Sequence, residues 1–454
     1  MFSLRWHARW ALPLTLGLTA LGLAVPTASA TKSAAPVRDD FNGDGYADLA
    51  VGAPDATVGG QARAGYVTVM YGGPHGLSTT HRTLVSRATT GIPGSPAKGQ
   101  AFGLQLSKGD LDGDGYADLV VGSPASDAVV VWGGPHGLSG GTSVPAGNTQ
   151  TGDFDGDGHL DLALFRSAGD AGDDPGGTTA ALWTGPLKRT GTPAAEAPFG
   201  PDHLQYVNVH DGTTGDLNGD GRTDLALYIY GGDGTYGTRL YLSGPSGLTP
   251  VGGFPSGDGA AAIGDVNGDG YDDLVTGYAN DEKIWVTYGS RSGLGGQDTW
   301  RSYSQNTPGV PGATETDDLF GASVAVGDIT GDGIDDVVVG APGENQAEGV
   351  VDVLPGSRHG LTGTGAQGFT QNTAGVPGTA EPGDAFGAGV RLLDVNGNGY
   401  ADLAASATGE DGGNGAVWSL RGRPTGLVTD AALVFGGKAV GAPYAKAGFG
   451  FELK

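Results

Sequence analysis

The sequence predicts an all-β protein, a seven-bladed β-propeller closed into a ring by its carboxy-terminal strand. Three observations carry this prediction. An Asp-rich nonapeptide occurs seven times, each copy runs into an apolar stretch of strand length, and the last residues resemble a segment that the first copy lacks. Self-similarity at such spacing marks a repeat architecture built from one supersecondary unit.

At the amino terminus, Arg5 and Arg9 precede an apolar run from Ala11 to Val25 and the small residues Ala28-Ser29-Ala30. This pattern reads as a secretory signal peptide over 1–30. The run is shorter than the roughly 20 residues a membrane span needs, and no other segment qualifies. Residues 31–39 form a short lead, and 40–454 the propeller. With no cysteine in the chain, disulfides, thiolate metal sites and a cysteine nucleophile are excluded. The formal net charge of -26 argues against nucleic acid and anionic membrane surfaces as partners.

The repeat starts at Asp40, Asp110, Asp153, Asp216, Asp265, Asp328 and Asp394, at intervals of 70, 43, 63, 49, 63 and 66 residues. Side chains at positions 1, 3, 5 and 9 and the carbonyl at position 7 supply the oxygen donors a hard cation requires, and glycines at 4 and 6 let the loop curl. The first loop offers Asp40, Asn42, Asp44 and Asp48 with the Tyr46 carbonyl. The second offers Asp110, Asp112, Asp114 and Asp118 with Tyr116, and the third Asp153, Asp155, Asp157 and Asp161 with His159. The fourth uses Asp216, Asn218, Asp220, Asp224 and Arg222; the fifth Asp265, Asn267, Asp269, Asp273 and Tyr271. The sixth uses Asp328, Thr330, Asp332, Asp336 and Ile334, and the seventh Asp394, Asn396, Asn398, Asp402 and Tyr400.

Up to seven Ca²⁺ are therefore expected. The ligand positions of these loops hold 22 of the 50 acidic residues, and carboxylates so clustered repel one another unless a cation joins them. An EF-hand is excluded because its position 12 Glu is replaced in the first loop by Val51, within a β-like run. Ligand charge ranks the loops: the second and third carry four carboxylates, whereas the seventh carries two and should empty first.

After each loop a second strand is expected, at Leu49–Val51, Leu119–Val121, Leu162–Phe165, Leu225–Tyr228, Leu274–Thr276, Val337–Val339 and Leu403–Ala405. Third strands follow at Tyr66–Tyr71, Val129–Trp132, Ala180–Trp183, Arg239–Leu242, Ile284–Tyr288, Val350–Leu354 and Ala416–Leu420. Four short strands per unit make a propeller blade. Trp132, Trp183, Trp285 and Trp418 fall at equivalent third-strand places and read as blade core.

Phe102-Gly103, Phe320-Gly321 and Phe386-Gly387 precede loops; Gly52-Ala53-Pro54 and Gly340-Ala341-Pro342 follow them, with Gly122-Ser123-Pro124 a near match. On these residues the chain resembles the FG-GAP repeat of integrin α-subunit propellers. The repeats at Asp153, Asp216 and Asp265 lack both flanking signatures. The first loop has no Phe-Gly before it, but Phe449-Gly450 stands at the far end, so the carboxy-terminal strand is expected to complete the first blade and remove the open edges.

The resemblance implies a secreted, calcium-stabilised adhesion or ligand-binding module, with a protein or glycan ligand on the face opposite the Asp loops. Variable connections there include Arg63, Tyr230, Tyr236 and Tyr278 as contacts. FG-GAP repeats also occur in secreted phospholipases D that cleave glycosylphosphatidylinositol anchors, which makes a hydrolase the alternative, and a lectin-like propeller a second one. Catalysis is not expected from the chain's own residues: His75, His136 and His359 repeat one turn position, and Gly137-Leu138-Ser139-Gly140-Gly141 lacks the strand-turn-helix setting of a nucleophile elbow. A monomer is expected.

Overall fold

The computed structural model describes residues 39–171, 173–200 and 204–454. The expected signal peptide and residues 31–38 of the lead lie outside the described residues. Seven antiparallel blade sheets follow one another along the chain, and a small two-stranded hairpin, Asp170–Ala171 with Asp174–Pro175, lies within the third. Each expected second and third strand is found in one of the blade sheets, except that Tyr71 and Tyr288 fall one residue past the ends of their strands.

Blade 1 has three strands, Leu49–Ala53, Tyr66–Met70 and Arg82–Val85. Blade 2 has Leu106–Gly109, Asp118–Val121, Ala128–Trp132 and Ser139–Val144; blade 3 has Asn148–Gly152, Asp161–Ser167, Thr178–Thr184 and Ala195–Pro198. Blade 4 comprises Asn208–Gly215, Asp224–Tyr230, Tyr236–Leu242 and Thr249–Val251, and blade 5 Ala261–Gly264, Asp273–Tyr278, Lys283–Thr287 and Arg301–Tyr303. Blade 6 comprises Ser323–Gly327, Asp336–Ala341, Val350–Leu354 and Gln367–Phe369, and blade 7 Phe386–Leu393, Asp402–Ala407, Ala416–Arg423 and Gly426–Gly436.

The missing fourth element of blade 1 comes from the chain's far end, as the stray Phe-Gly implies. The Ala50 N–H donates to the Lys454 carbonyl at 2.8 Å, the Lys454 N–H returns to Ala50 at 3.0 Å, and the Gly52 N–H reaches the Glu452 carbonyl at 2.8 Å. Phe449 is fully buried. It packs among Val51, Tyr66 and Phe435 in a core that also takes Leu393 and Val417 from blade 7, so one cluster welds the ends of the ring.

Hydrophobic burial elsewhere follows the same plan, with a distinct cluster between each pair of neighbouring blades. That between blades 6 and 7 holds Trp418, Phe386, Phe369 and Val351. The one between blades 4 and 5 is the thinnest, with only Leu217, Ala226, Leu240 and Leu274 buried. A propeller needs no central core because each sheet's two faces are covered by its neighbours.

The Phe-Gly and Gly-Ala-Pro signatures have a packing cause. Phe102, Phe320 and Phe386 are fully buried, and the following Gly103, Gly321 and Gly387 adopt φ of +90°, +101° and +88°. Their carbonyls press on the second strand of the preceding blade: a Cβ on Gly52 would lie 2.2 Å from the Gly103 oxygen, and one on Gly340 2.0 Å from the Gly387 oxygen. Only glycine fits so close an approach. Blade 4 has Tyr228 at this place, and blade 5 begins with Asp258-Gly259 instead of Phe-Gly.

One expectation needs correction. The four tryptophans are not equivalent, since Trp183 pairs across from Leu162 whereas Trp285 and Trp418 face Thr276 and Ala405. Trp132, Trp183 and Trp418 are buried, but Trp285 is half-buried and meets Trp300 edge-on at 6.4 Å. The length of strand between loop and tryptophan differs from blade to blade, and composition alone does not reveal it.

Candidate metal centres and the opposite face

All seven Asp loops adopt one conformation. The position 1 carboxylate (Asp40, Asp110, Asp153, Asp216, Asp265, Asp328, Asp394) accepts the N–H groups of positions 5 and 6 at 2.7–3.2 Å. The position 5 side chain accepts the N–H of position 7 at 2.8–3.1 Å, as Asp44 does from Tyr46 and Asn398 from Tyr400. These bonds curl the backbone so that the side-chain oxygens converge. In the second loop Asp110, Asp112 and Asp114, and in the third Asp153, Asp155 and Asp161, bring carboxylate oxygens within 4.8 Å of one another. Oxygen-only donors at this spacing suit a hard divalent cation.

Position 9 has a second task that the sequence does not disclose. Asp48, Asp118, Asp161, Asp224, Asp273, Asp336 and Asp402 are buried, and each accepts an N–H from the end of the third strand or from the two residues after it, at 2.7–2.9 Å. In the first six loops the other oxygen takes the position 2 N–H, from Phe41, Leu111, Phe154, Leu217, Val266 and Ile329. In the seventh the Asn396 side-chain amide takes that oxygen of Asp402 instead. Position 9 thus clasps the loop to two strands. Burial is the main influence on these acids, pushing Asp48, Asp118 and Asp224 up to about 7, Asp273 to about 8, and Asp161, Asp336 and Asp402 to about 6, against the downward pull of the N–H donors. A divalent cation beside them would favour the charged form that desolvation opposes.

The loops are also joined to one another. The position 8 N–H of each loop donates to the position 1 carbonyl of the loop before it: Ala117 to Asp40, Thr223 to Asp153, Asp272 to Asp216, Asp335 to Asp265, Ala401 to Asp328 and, closing the ring, Ala47 to Asp394, at 2.8–3.3 Å. The second-to-third junction has no such bond among the described residues. Position 7 side chains add to the contact, because Tyr116 lies over Gly43, Tyr271 over Gly219, Ile334 over Gly268, Tyr400 over Gly331 and Tyr46 over Gly397. Residues expected to supply only a carbonyl therefore cover the neighbouring loop as well.

At the second loop the arrangement changes. Arg189, in the turn after the third strand of blade 3, reaches Asp112 Oδ2 at 2.5 Å and Asp114 Oδ2 at 2.6 Å. Arg222 lies over the third loop, but its guanidinium bonds the Asp155 carbonyl and not a carboxylate.

Because the Asp loops join first to second strands, the other end of those strands forms the opposite face. There the expected contacts separate. Arg63 is exposed and ion-paired with Asp55 at 2.8 Å, while Tyr278 packs beside Gly257 with the Lys283 ammonium 5.8 Å from its ring centre. Tyr230 and Tyr236 belong to a larger group in blade 4: Tyr228 and Tyr236 stack at 5.6 Å, Tyr230 meets Tyr236 at 5.0 Å, and His210 stands edge-on to all three. Next to Tyr228 is a cavity of about 300 Å³ walled by Asp211, Asp258, Ala261, Ala279 and Ala322. Sequence reasoning missed His210 and Tyr228; the signal was Tyr228 standing where blades 1, 2, 5 and 6 carry Gly52, Gly122, Gly277 and Gly340. His75, His136 and His359 are exposed turn residues.

Comparison with known proteins agrees with this anatomy. Five segments, residues 34–70, 102–143, 258–287, 320–354 and 386–420, match the FG-GAP repeat. Integrin alpha pat-2 of Caenorhabditis briggsae is 35% identical over 268 residues, covering 54% of this chain and 20% of that protein. Integrin alpha-5 of Xenopus laevis is 38% identical over 96 residues, 21% of this chain and 8% of that one. Phosphatidylinositol-glycan-specific phospholipase D of Rattus norvegicus is 37% identical over 86 residues, 19% and 10% of the two chains. The matched region thus spans a fifth or less of these relatives. Residues 144–257, between the second and third matched segments, hold blades 3 and 4, with Arg189 and the aromatic group.

Proposed function

Since the chain is an FG-GAP repeat protein resembling integrin α-subunits, we propose that it is a secreted ligand-binding or adhesion module, held together by calcium and recognising an extracellular protein or glycan. The supporting observation is the cavity lined by Tyr228, whose ring also stacks on Tyr236 and meets His210 edge-on. It lies where the Phe-Gly signature lapses and interblade packing is thinnest. Concave surfaces with aromatic walls and a few carboxylates are where binding energy concentrates.

Calcium in the loops would be held by the side chains of positions 1, 3, 5 and 9 and the position 7 carbonyl. It would supply charge compensation for buried carboxylates and a link between first and second strands. In a chain without cysteine this takes the place of disulfides. The seventh loop, with two carboxylates and Asn396 turned onto Asp402, is the weakest of the set.

The test is a binding screen of the calcium-saturated protein against matrix proteins and a glycan array, repeated with Tyr236→Ala and Tyr228→Ala. Loss of the same ligand in both variants, with unchanged melting, supports this face. Binding that survives both variants and fails only with Arg63→Ala moves the ligand to blade 1. Release of a phosphate or ester product from a glycosylphosphatidylinositol substrate would instead revive the hydrolase alternative.

A further inference from the structure

The second and third loops carry the same four carboxylates, yet among the described residues only the second has its carboxylates ion-paired; at the third the Arg222 guanidinium bonds the Asp155 carbonyl instead. Arg189 forks onto Asp112 and Asp114, its second terminal nitrogen also donating to the Gly133 carbonyl at 3.1 Å. Both ends of the residue are held. The guanidinium lies 5.5 Å from the centre of the Trp132 ring, and the Arg189 carbonyl accepts the Thr142 hydroxyl at 2.6 Å, while that hydroxyl accepts the Trp132 indole N–H at 3.1 Å. The Leu187 N–H pins the start of the same turn to the Leu111 carbonyl at 2.7 Å.

A planar fork on two carboxylates with an indole beside it is an oriented ion pair, although Arg189 and Asp114 are 46% and 36% exposed. Asp112 is only 10% exposed, so water screens the pair poorly on that side. This junction is also where the position 8 to position 1 backbone bond is missing, so Arg189 replaces a main-chain link with a charged one. No carboxylate of the third loop is in an ion pair among the described residues.

We propose that Arg189 is a built-in counterion that competes with calcium at the second loop, so that this loop fills after the third despite equal ligand charge. The inference rests on calcium occupying the loops. Filling the second loop requires the guanidinium to release or share Asp112 and Asp114, and Trp132 senses the change because the arginine lies on its ring. Removing one positive charge beside a divalent ion is worth roughly tenfold in affinity in a high-dielectric setting.

The experiment is calcium titration of the full mature chain by calorimetry, with tryptophan fluorescence recorded in parallel, on the wild type, Arg189→Gln, Asp110→Ala, and the double variant. Arg189→Gln is expected to tighten one site about tenfold. The gain should vanish in the double variant, and the fluorescence step at that site should be lost in Trp132→Phe. An independent measurement needs no change at Arg189: in the wild-type background, Asp153→Ala should remove a tighter site than Asp110→Ala does.

If Arg189→Gln lowers the melting temperature but leaves every affinity unchanged, the arginine is a structural tie and the proposal falls. Equal affinities lost in Asp110→Ala and Asp153→Ala overturn it too. No calcium uptake at any loop removes this inference together with the calcium reading, whereas uptake with an unaltered second loop removes this one alone.

Discussion

Blades 6, 7, 1 and 2 and blades 3 to 5 carry the same Asp loops but are packed together differently. Where Phe-Gly and Gly-Ala-Pro are present, a buried phenylalanine and two glycine backbones close the interface, as at Phe386, Gly387 and Gly340. Between blades 4 and 5 the same place holds Tyr228, a cavity of about 300 Å³ and the smallest hydrophobic cluster of the ring. The repeated signature is thus a packing device, and between blades 4 and 5, where it lapses, Tyr228 and the cavity stand in its place.

The largest effect should come from chelation, and it tests what the two regions share. Each loop occupied at about 100 times its dissociation constant adds roughly 2.7 kcal/mol, so removing several ions approaches a whole domain's stability. Excess EGTA should lower the melting temperature by many degrees, with amide exchange rising in both regions. Exchange confined to blades 3 to 5 would break the comparison by showing that only those blades depend on the metal.

Next in size is deletion of residues 447–454, which removes Phe449 and the segment paired with Ala50 and Gly52. Loss of a buried phenylalanine alone costs about 3–5 kcal/mol. Calorimetry should show a broadened, lower transition, and light scattering should show association through the exposed edge of blade 1. Unchanged melting would mean that closure contributes nothing.

Gly340→Ala sharpens the comparison at a single atom. Its Cβ would meet the Gly387 oxygen at 2.0 Å, and overpacking of this kind costs about 1–3 kcal/mol by urea unfolding. Tyr228→Gly, which installs the signature residue in blade 4, should cost less than that if the neighbouring blade leaves the space open. Equal costs would dissociate glycine from the Phe-Gly contact.

The smallest effect concerns Glu452 in the closing segment. Burial, with help from Asp211, raises its carboxyl above the ordinary value, while Lys454 and Arg391 act in the opposite direction. A raised value in the folded state means that the native protein holds a proton the unfolded chain has released. Its stabilising contribution is complete below about 4.5 and declines as pH rises through the folded value. Glu452→Gln should therefore flatten melting temperature against pH above 5, at constant calcium; an unaltered slope would exclude this group.

Legibility followed the range of each interaction. The Asp loops were readable because positions 1, 5 and 7 bond within one another and need only a short local pattern. The second strands were readable because each follows its loop at once. The clasp at position 9 was not: Asp48 to Gly72 spans 24 residues, and nothing local to Asp48 distinguishes a ligand from a clasp. Tyr230 and Tyr236 were singled out as lone contacts, whereas His210 and Tyr228 join them through a hairpin and a neighbouring strand.

By itself the sequence determined the number of blades, the loops that begin them and the end-to-end closure, since periodic Asp, Gly and apolar residues encode local turns and strands directly. Only the tertiary structure decided that Arg189 meets Asp112 and Asp114 across more than 70 residues and that Tyr228 faces a cavity. Such pairings depend on how successive sheets stack around the ring, and that relation is a property of the closed fold, written in no single repeat.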